Sequence, residues 1–203
     1  MVQKTKAGIL PVDIKAENGD YSITMTQGTP SVCEPYDEVL ILEIAAALGI
    51  DRSDIADHPV AAASTGHGKV MVPIRSIDLL HNLKPDLSAL TILSAKVGYN
   101  GFYVFTLHPD EPVLVHGRMF APAGGVAEDP VTGNANGPLG AYLVHYGLFQ
   151  NAQDKSFDFD ILQGEAIGRR GTMHVHVEKD RGEPTLVQIT GQAVVAFQTE
   201  ITL

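Results

Sequence analysis

One stretch of the sequence constrains the fold more than any other. It reads EDPVTGNANGPLGAYLVHYG (128–147) and joins a loop rich in proline, glycine and asparagine to an apolar run. We predict a helix over residues 136–146, and it is the most apolar helix of the chain. Because this helix lacks a clear polar face, we expect it to be buried against a sheet.

Strands with alternating apolar and polar residues supply such a sheet. Residues 9–14 and 21–26 are predicted to form a β-hairpin around the turn Asn18-Gly19-Asp20, because Asn-Gly tolerates the positive φ of tight turns. Six further strands are predicted, within 59–64, 69–74, 101–107, 112–122, 173–179 and 185–198. Hairpins predominate in this order, so the sheet should be largely antiparallel or mixed.

The remaining helices are predicted from their ends. Asp37 lies at the start of a helix over 36–50, where the helix dipole favours an acid, and Gly49 is its natural stop. Residues 76–93 predict two short helices separated by Pro85. Strands and helices are thus mixed along the chain rather than alternating, which predicts the α+β class.

Charge and composition narrow the classes of function. The chain has 203 residues and a formal net charge of −10, which disfavours nucleic acid and anionic membrane as partners. No apolar stretch reaches the length of a transmembrane helix, and the opening MVQKTKAG is too polar for a signal peptide. The single cysteine, Cys33, excludes an intrachain disulfide and fits the reducing cytoplasm, where we expect the protein.

The loop before the apolar helix carries the candidate chemistry. Pro130 favours an extended conformation at Asp129, and Gly133 allows a close approach of the backbone to a ligand. If the helix begins near Gly133, its first amides have no helical partner and can bind a substrate carboxylate, with Asp129 beside it to transfer a proton. Asn134 and Asn136 are candidate caps. The alternative is ordinary turn chemistry followed by a helix cap.

Two parts of the chain also resemble each other. TKAGILPVDIKAENGDYSITM (5–25) and GEAIGRRGTMHVHVEKDRGEPTLVQIT (164–190) both contain a glycine, an alternating strand, a polar turn and a second alternating strand. Either this is a structural repeat whose first copy lacks its beginning, or two generic hairpins happen to look alike.

A longer match then identifies a family. The stretch GRMFAPAGGVAEDPVTGNANGPLGAYLVHYG (117–147) resembles the signature of the phenazine-biosynthesis PhzF-like isomerases, which have the diaminopimelate epimerase-like fold. The similarity extends to LEIAAALGI, NLKPDLSALTIL, QGEAIGRRGTMHVHV and ITGQAVVAF, and so covers nearly the whole chain. The resemblance implies two similar lobes, each with a mixed or antiparallel sheet wrapped around a central buried helix, and a substrate between them.

The resemblance also implies roles for individual residues. Asp129 matches the family's catalytic aspartate, and Gly133 matches the glycine whose backbone faces the substrate. Asn134 stands where many members have serine, and Thr132 completes the predicted substrate-binding set. The family moves a proton on a small carboxylated metabolite and uses neither a metal nor an organic cofactor, so we expect none here.

The resemblance leads us to expect that this sequence lacks most of the family's first lobe. Its Gly-Asn-Pro motif, its catalytic glutamate and its Gly-His-Pro/Ala-Thr motif are not found, and Gly66-His67-Gly68 lies elsewhere, before a strand, so no role is assigned to it. We expect residues 1–30 to be the remnant hairpin of the first lobe and 31–203 to be the second lobe.

That expectation affects the predicted activity. Loss of a general base typically lowers a rate by about 10²–10⁴-fold, so the isolated chain should be a weak or inactive isomerase. Activity would then require a homodimer or association with a first-lobe chain, as unpaired strand edges and apolar surface would favour. The alternative is a catalytically inactive, truncated or vestigial binding module.

Three further polar side chains, His174, His176 and Arg118, are candidates for a functional role. His174 and His176 share one face of a strand, but Met173 and its apolar neighbours take the inner face, so we expect outward-facing histidines rather than a metal site. For Arg118 we favour a structural ion pair with Asp129 or Glu128 over a catalytic role.

Overall fold

The computed structural model of the chain describes residues 1–5, 8–17, 20–108, 110–148 and 154–200. The helices are α1 (Glu38–Leu48), α2 (Ile77–Asn82), α3 (Leu87–Val97) and α4 (Gly133–His145). The strands are β1 (Val2–Thr5), β2 (Gly8–Glu17), β3 (Asp20–Thr26), β4 (Ser31–Val32), β5 (Ala61–Ser64), β6 (Lys69–Pro73), β7 (Phe102–Leu107), β8 (Val115–Ala121), β9 (Val126–Asp129), β10 (Ser156–Gln163), β11 (Gly171–Asp180) and β12 (Glu183–Ala193).

All of these strands belong to one 12-stranded sheet. Its order is β1-β2-β3-β12-β11-β10-β8-β7-β6-β5-β4, and β9 pairs with β8 off this path. Most neighbouring strands are antiparallel, while β10 with β8 and β6 with β7 run parallel. The prediction of an α+β fold with a mixed, largely antiparallel sheet is confirmed.

The helix α4 is the centre of the fold. Residues 135–144 of this helix are all buried, and they form one core with side chains of β5–β8 and β10–β12. The contact with β11 is close, because a Cβ at Gly140 would lie 2.8 Å from side-chain atoms of Val175 and Val177. The predicted burial against sheet is confirmed, although the helix begins at Gly133 rather than at residue 136.

Helices α1–α3 cover the opposite face of the sheet. Successive residues of β7 point alternately to the two sides: Phe102 and Val104 pack in the core beneath α1–α3, whereas Tyr103 and Phe105 pack in the core around α4. This part of the sheet is therefore buried on both faces.

The structure contains the predicted start and end of α1 and the predicted break between α2 and α3. Asp37 caps α1 by accepting a hydrogen bond from the amide of Leu40 at 2.8 Å, and Gly49 ends this helix with φ of 74°. Pro85 separates α2 from α3 as expected. Among the described residues, no helix is long and apolar enough to cross a membrane.

The N-terminal hairpin is continuous with the rest of the sheet. Strands β2 and β3 pair antiparallel, and β3 in turn pairs with β12, so the two similar stretches of sequence form adjacent hairpins. Residues 18 and 19 of the predicted turn lie outside the described residues. The lobe boundary near residue 30 remains a prediction.

The last predicted strand ends earlier than expected. Its pairing with β3 stops at Ala193, opposite Tyr21. Val194 and Phe197 consequently lie exposed, with 68% and 80% of their surface accessible.

Candidate active site

The candidate site forms where β9 ends and α4 begins. Asp129 is the last residue of β9 and lies opposite Met119 of β8, so the sheet fixes its backbone. Pro130 and Val131 then connect to Thr132, which is extended, with φ of −126° and ψ of 97°, and is the residue before the first helical one, Gly133. The helix thus begins at Gly133, as an anion-binding helix start beside Asp129 would require, and not at the predicted residue 136.

Thr132 joins the aspartate to the helix start. Its carbonyl accepts hydrogen bonds from the amides of Ala135 and Asn136, each at 3.1 Å. Its hydroxyl does not cap the helix but donates to Oδ2 of the half-buried Asp129 at 2.8 Å. The short link of three residues therefore places the Asp129 carboxylate directly beside the start of α4.

The expectation that Asn134 or Asn136 caps the helix is wrong. Both lie inside the first turn of α4, after Thr132. Asn134 is exposed, and Asn136 is completely buried, where its Nδ2 donates to Oε1 of Gln163 at 3.3 Å. The first amides of α4 consequently have no side-chain cap and stay available to a ligand.

Gln163 is a site residue that the sequence interpretation missed. It is 1% exposed, at the end of β10, and its side chain contacts Asp129, Thr132 and Asn136. The signal was present in the alternation of β10, since Phe159, Ile161 and Gln163 share the inward face. A glutamine at an apolar, inward position is a candidate for a structural or functional hydrogen-bond network.

A cavity of about 450 Å³ opens at the start of α4 and is called here the α4 cavity. It is lined by Gly133 and Asn134, by residues 27–28 after β3 and by residues 65–67 after β5, among others. Of the four predicted site residues, Gly133 and Asn134 line it, whereas Asp129 and Thr132 do not. The volume is in the range of pockets that bind small molecules.

His67 is the one titratable side chain among the described residues that line the α4 cavity. Burial and the nearby charge of Lys69 lower the pKa of His67, while a hydrogen bond with Asn100 acts in the opposite direction. The neutral imidazole is therefore favoured near neutral pH. No role could be assigned to the Gly66-His67-Gly68 segment from sequence alone, because only the fold brings it to the same cavity as the start of α4.

Lys69 lies behind this segment and is almost completely buried. Its Nζ donates to the carbonyl of Gly68 at 3.3 Å and to Oδ1 of Asn100 at 3.2 Å. Burial lowers the pKa of Lys69 to about 8. No Asp or Glu is among the described residues that line the α4 cavity, in contrast to the chain's net charge of −10.

The remaining polar candidates are structural. Arg118 pairs with Glu128 through two hydrogen bonds, at 3.0 and 2.7 Å, so the expected structural ion pair is confirmed, with Glu128 rather than Asp129 as the partner. His174 faces outward and contacts Asp158 and Asp160 on β10. The described residues contain no group of three or more His, Cys, Asp or Glu side chains placed to hold a metal ion.

The fold and the site together define a protein of the diaminopimelate epimerase-like class, with a sheet around a buried helix and an aspartate at the helix start. The family model of the phenazine biosynthesis-like proteins matches residues 1–199, and the chain belongs to this family. The resemblance noted in the sequence is therefore confirmed.

Several relatives support the same assignment. An uncharacterized isomerase from Clostridium acetobutylicum is 49% identical over 203 residues, covering 98% of this chain and 67% of that protein. Trans-2,3-dihydro-3-hydroxyanthranilate isomerase from Pseudomonas chlororaphis is 30% identical over 201 residues, covering 98% of this chain and 66% of that protein. The chain thus spans about two thirds of the length of the curated relatives it matches.

A solved structure has the same fold. The phenazine biosynthesis protein of the PhzF family from Bacillus anthracis superposes with a TM-score of 0.82 at 31% identity. The match covers 98% of this chain and 68% of that chain.

Proposed function

We propose that this chain is the aspartate-bearing lobe of a cofactor-independent isomerase that moves a proton on a small carboxylated metabolite. The observation that carries the proposal is the placement of the Asp129 carboxylate beside uncapped amides at the start of α4. Membership of a family whose relatives bear the name isomerase supports it.

The substrate class follows from the electrostatics of the helix start. The free amides of the first turn of α4 favour an anion, and the helix dipole adds to this preference. The α4 cavity at this point has no acidic lining residue among those described, so a carboxylate meets no repulsion from its walls. One relative is named for a substrate that is itself a small carboxylic acid, an anthranilate derivative.

The role proposed for Asp129 is to exchange a proton with the substrate carbon or its conjugated system. Thr132 and Gln163 hold the aspartate. Gly133 and Asn134, which line the α4 cavity, bind the substrate in this proposal, together with Thr132 at the helix start. Movement of a proton from one position to another requires a second group facing Asp129 across the substrate. This chemistry needs neither a metal nor an organic cofactor, and none is part of the proposal.

The second group is proposed to come from another polypeptide segment, either a first-lobe chain or a second copy of this chain. Accessible apolar surface supports this, since Ile9 and Ile14 on β2 and Val194 and Phe197 after β12 are exposed. The unpaired thiol of Cys33 supports a reducing, cytoplasmic location.

The test is solvent exchange. The chain is incubated in deuterated water with trans-2,3-dihydro-3-hydroxyanthranilate and a panel of small amino and hydroxy acids. It is tested alone, at high concentration, and mixed with the part of the Clostridium acetobutylicum relative that lies outside the matched two thirds. We expect deuterium to enter a carbon of one acid in the mixture, and we expect Asp129→Asn to lower this rate at least ~100-fold.

Asp158→Asn is the matched control, because Asp158 is an exposed aspartate on β10 whose ion-pair partners among the described residues are His174 and His176 of β11. Its exchange rate should equal that of the unaltered chain. Binding of an acid without exchange under every condition would favour a non-catalytic binding module. The isomerase proposal would not survive an absence of both binding and exchange.

A further inference from the structure

The side-chain amide of Gln163 has an orientation that the backbone around it determines. Its Nε2 donates to the carbonyl of Asp129 at 2.6 Å, and its Oε1 accepts from the amide of Thr132 at 3.3 Å. A carbonyl can only accept and a backbone N–H can only donate, so exchanging the oxygen and nitrogen of the glutamine would break both bonds. The amide is therefore fixed in one orientation.

This orientation determines the direction of the next hydrogen bond. The second proton of Nε2 is directed to Oγ1 of Thr132 at 3.0 Å, where the hydroxyl must act as acceptor. The hydroxyl has one proton of its own, and it donates this proton to Oδ2 of Asp129 at 2.8 Å. The chain of bonds runs in one direction, from Gln163 through Thr132 to the carboxylate.

The two carboxylate oxygens of Asp129 therefore have different hydrogen-bond surroundings. Oδ2 is committed as an acceptor, so a proton on Oδ2 would face the proton of the Thr132 hydroxyl. Oδ1 has no hydrogen-bond partner among the described residues and remains free to gain or lose a proton. We propose that Gln163 is a positioning residue that, through Thr132, reserves Oδ1 of Asp129 as the oxygen that exchanges the proton with substrate.

The same glutamine also connects the relay to the helix start. Its Oε1 accepts a second hydrogen bond, from Nδ2 of Asn136 in the first turn of α4. All four hydrogen-bonding positions of the Gln163 amide are thus used. The Nδ2 of Asn136 is thereby committed to Gln163, while its Oδ1 is buried without a partner among the described residues.

The catalytic role of Oδ1 rests on the proposed function, but the hydrogen bonds of the relay can be tested by a measurement that needs no enzyme activity. In the unaltered chain, NMR should detect a Thr132 hydroxyl proton and two Gln163 amide protons that exchange slowly with solvent. The ¹³C signal of the Asp129 carboxyl should shift between H₂O and D₂O, because the hydroxyl proton bonded to Oδ2 is replaced by deuterium. Absence of these signals in the unaltered chain would overturn the proposal even if no variant folds.

Three variants then separate orientation from mere packing. Thr132→Ser keeps the hydroxyl and should keep the isotope shift, whereas Thr132→Val keeps the shape and should lose it. Gln163→Met leaves Thr132 intact but releases its hydroxyl, so the shift should weaken or vanish although the α4 amide signals remain. A full isotope shift in folded Gln163→Met would show that the glutamine does not orient the hydroxyl.

Where the exchange assay of the proposed function gives activity, the same variants give a second readout. Thr132→Val and Gln163→Met should each lower kcat about 10-fold or more with little change in KM, and Thr132→Ser, which restores the hydroxyl, should recover most of the kcat that Thr132→Val loses. A change confined to KM would mean that the network serves binding rather than proton transfer. If no acid is exchanged at all, the proposed function fails while the NMR result on the relay still stands.

Discussion

The guanidinium of Arg118 and the carboxylate of Glu128 meet through two parallel hydrogen bonds, from Nε to Oε1 at 3.0 Å and from Nη2 to Oε2 at 2.7 Å. Only 8% and 11% of the two side chains are exposed. Glu128 directly precedes Asp129, so the pair fixes the end of β9 against β8. The Nη1 atom also donates to the carbonyls of Leu80 and Leu83 at the end of α2, and one side chain thus ties two strands and a helix together.

Removal of one partner from this buried pair should strongly destabilise the fold. Glu128→Gln leaves the Arg118 charge buried without its carboxylate, and we expect a loss of about 3–5 kcal/mol in the free energy of unfolding, measured by urea denaturation. Glu38→Gln is the matched control, because Arg52 and Glu38 also form two hydrogen bonds but are 41% and 59% exposed. Its effect should be at most about 1 kcal/mol. If both variants lost the same free energy of unfolding, burial of the Arg118–Glu128 pair would not be the cause of the effect.

The turn after β10 should be sensitive to a single methyl group. Gly164 has φ of 80°, and a Cβ there would lie 2.2 Å from the carbonyl oxygen of Arg169 and 2.8 Å from that of Pro130. Gly164→Ala should therefore displace the segment next to Asp129 and cost several times more free energy of unfolding than backbone strain alone, which is about 1–2 kcal/mol.

Gly168 in the same turn separates the two contributions. It also has a positive φ, of 65°, but a Cβ there meets nothing within 4 Å. Gly168→Ala should show the strain without the collision. Urea denaturation of both variants gives the difference, and NMR shifts at Asp129 should change only in Gly164→Ala. A Gly164 variant no less stable than the Gly168 variant would show that the turn relaxes freely.

The contrast between prediction and structure is clearest in α4. Its burial was readable from the sequence, since no polar face interrupts residues 136–146, and its family motif located Asp129. Its exact start was not readable, because Thr132 uses its hydroxyl for Asp129 instead of for the helix, and the asparagines that look like caps lie inside the first turn. The local sequence pattern shows which hydrogen bonds a side chain is able to form, whereas the tertiary contacts determine which of these bonds it forms.

The missed residues have the same physical explanation. Gln163 is 34 positions from Asp129, and His67 is 66 positions from Gly133, so only the pairing of β10 with β8 and the packing of α4 on β5 bring them to the site. A polar residue on the inward face of a strand indicates a hydrogen-bond network, but the sequence does not show which residues are its partners. Likewise, the apolar pattern in residues 185–198 continues past Ala193, and nothing in it marks the end of β12 there.

Because of the histidines around Glu165, part of the free energy of unfolding should depend on pH in the acidic range. Oε2 of Glu165 contacts Nδ1 of His116 at 2.6 Å and Nε2 of His81 at 3.4 Å. Burial acts to raise the pKa of Glu165, but the hydrogen bonds and charges of His116 and His81 outweigh it and lower the pKa below 4.5. A carboxyl with a lowered pKa stabilises the fold above its unfolded-state value and loses this contribution as pH falls through the folded-state value.

Glu165→Gln should therefore destabilise the chain most at pH values above 4.5, and the difference from the unaltered chain should shrink as the pH is lowered further. Urea denaturation over a series of acidic buffers measures this difference. Glu183→Gln is the control, since Glu183 also contacts a histidine, His145, at 2.8 Å but is 62% exposed. A gap that stays constant with pH for Glu165→Gln would mean that the histidines do not favour its ionised form.

The buried amine of Lys69 should have the opposite dependence on pH. Burial lowers its pKa from 10.5 to about 8, and no salt bridge to a described Asp or Glu compensates its charge. The folded state then binds fewer protons than the unfolded state between these values, so stability should rise with pH across this interval. Lys69→Met removes the charge and should raise the free energy of unfolding by about 1–3 kcal/mol near neutral pH, after the loss of two hydrogen bonds. This advantage should shrink towards zero by about pH 10, whereas Lys15→Met, at an exposed lysine of β2, should show no such trend.

Chemical denaturation of both variants at successive pH values makes the comparison. A gain for Lys69→Met that does not depend on pH would rule out a buried ammonium as its source, because only a titrating group makes the difference in stability change with pH.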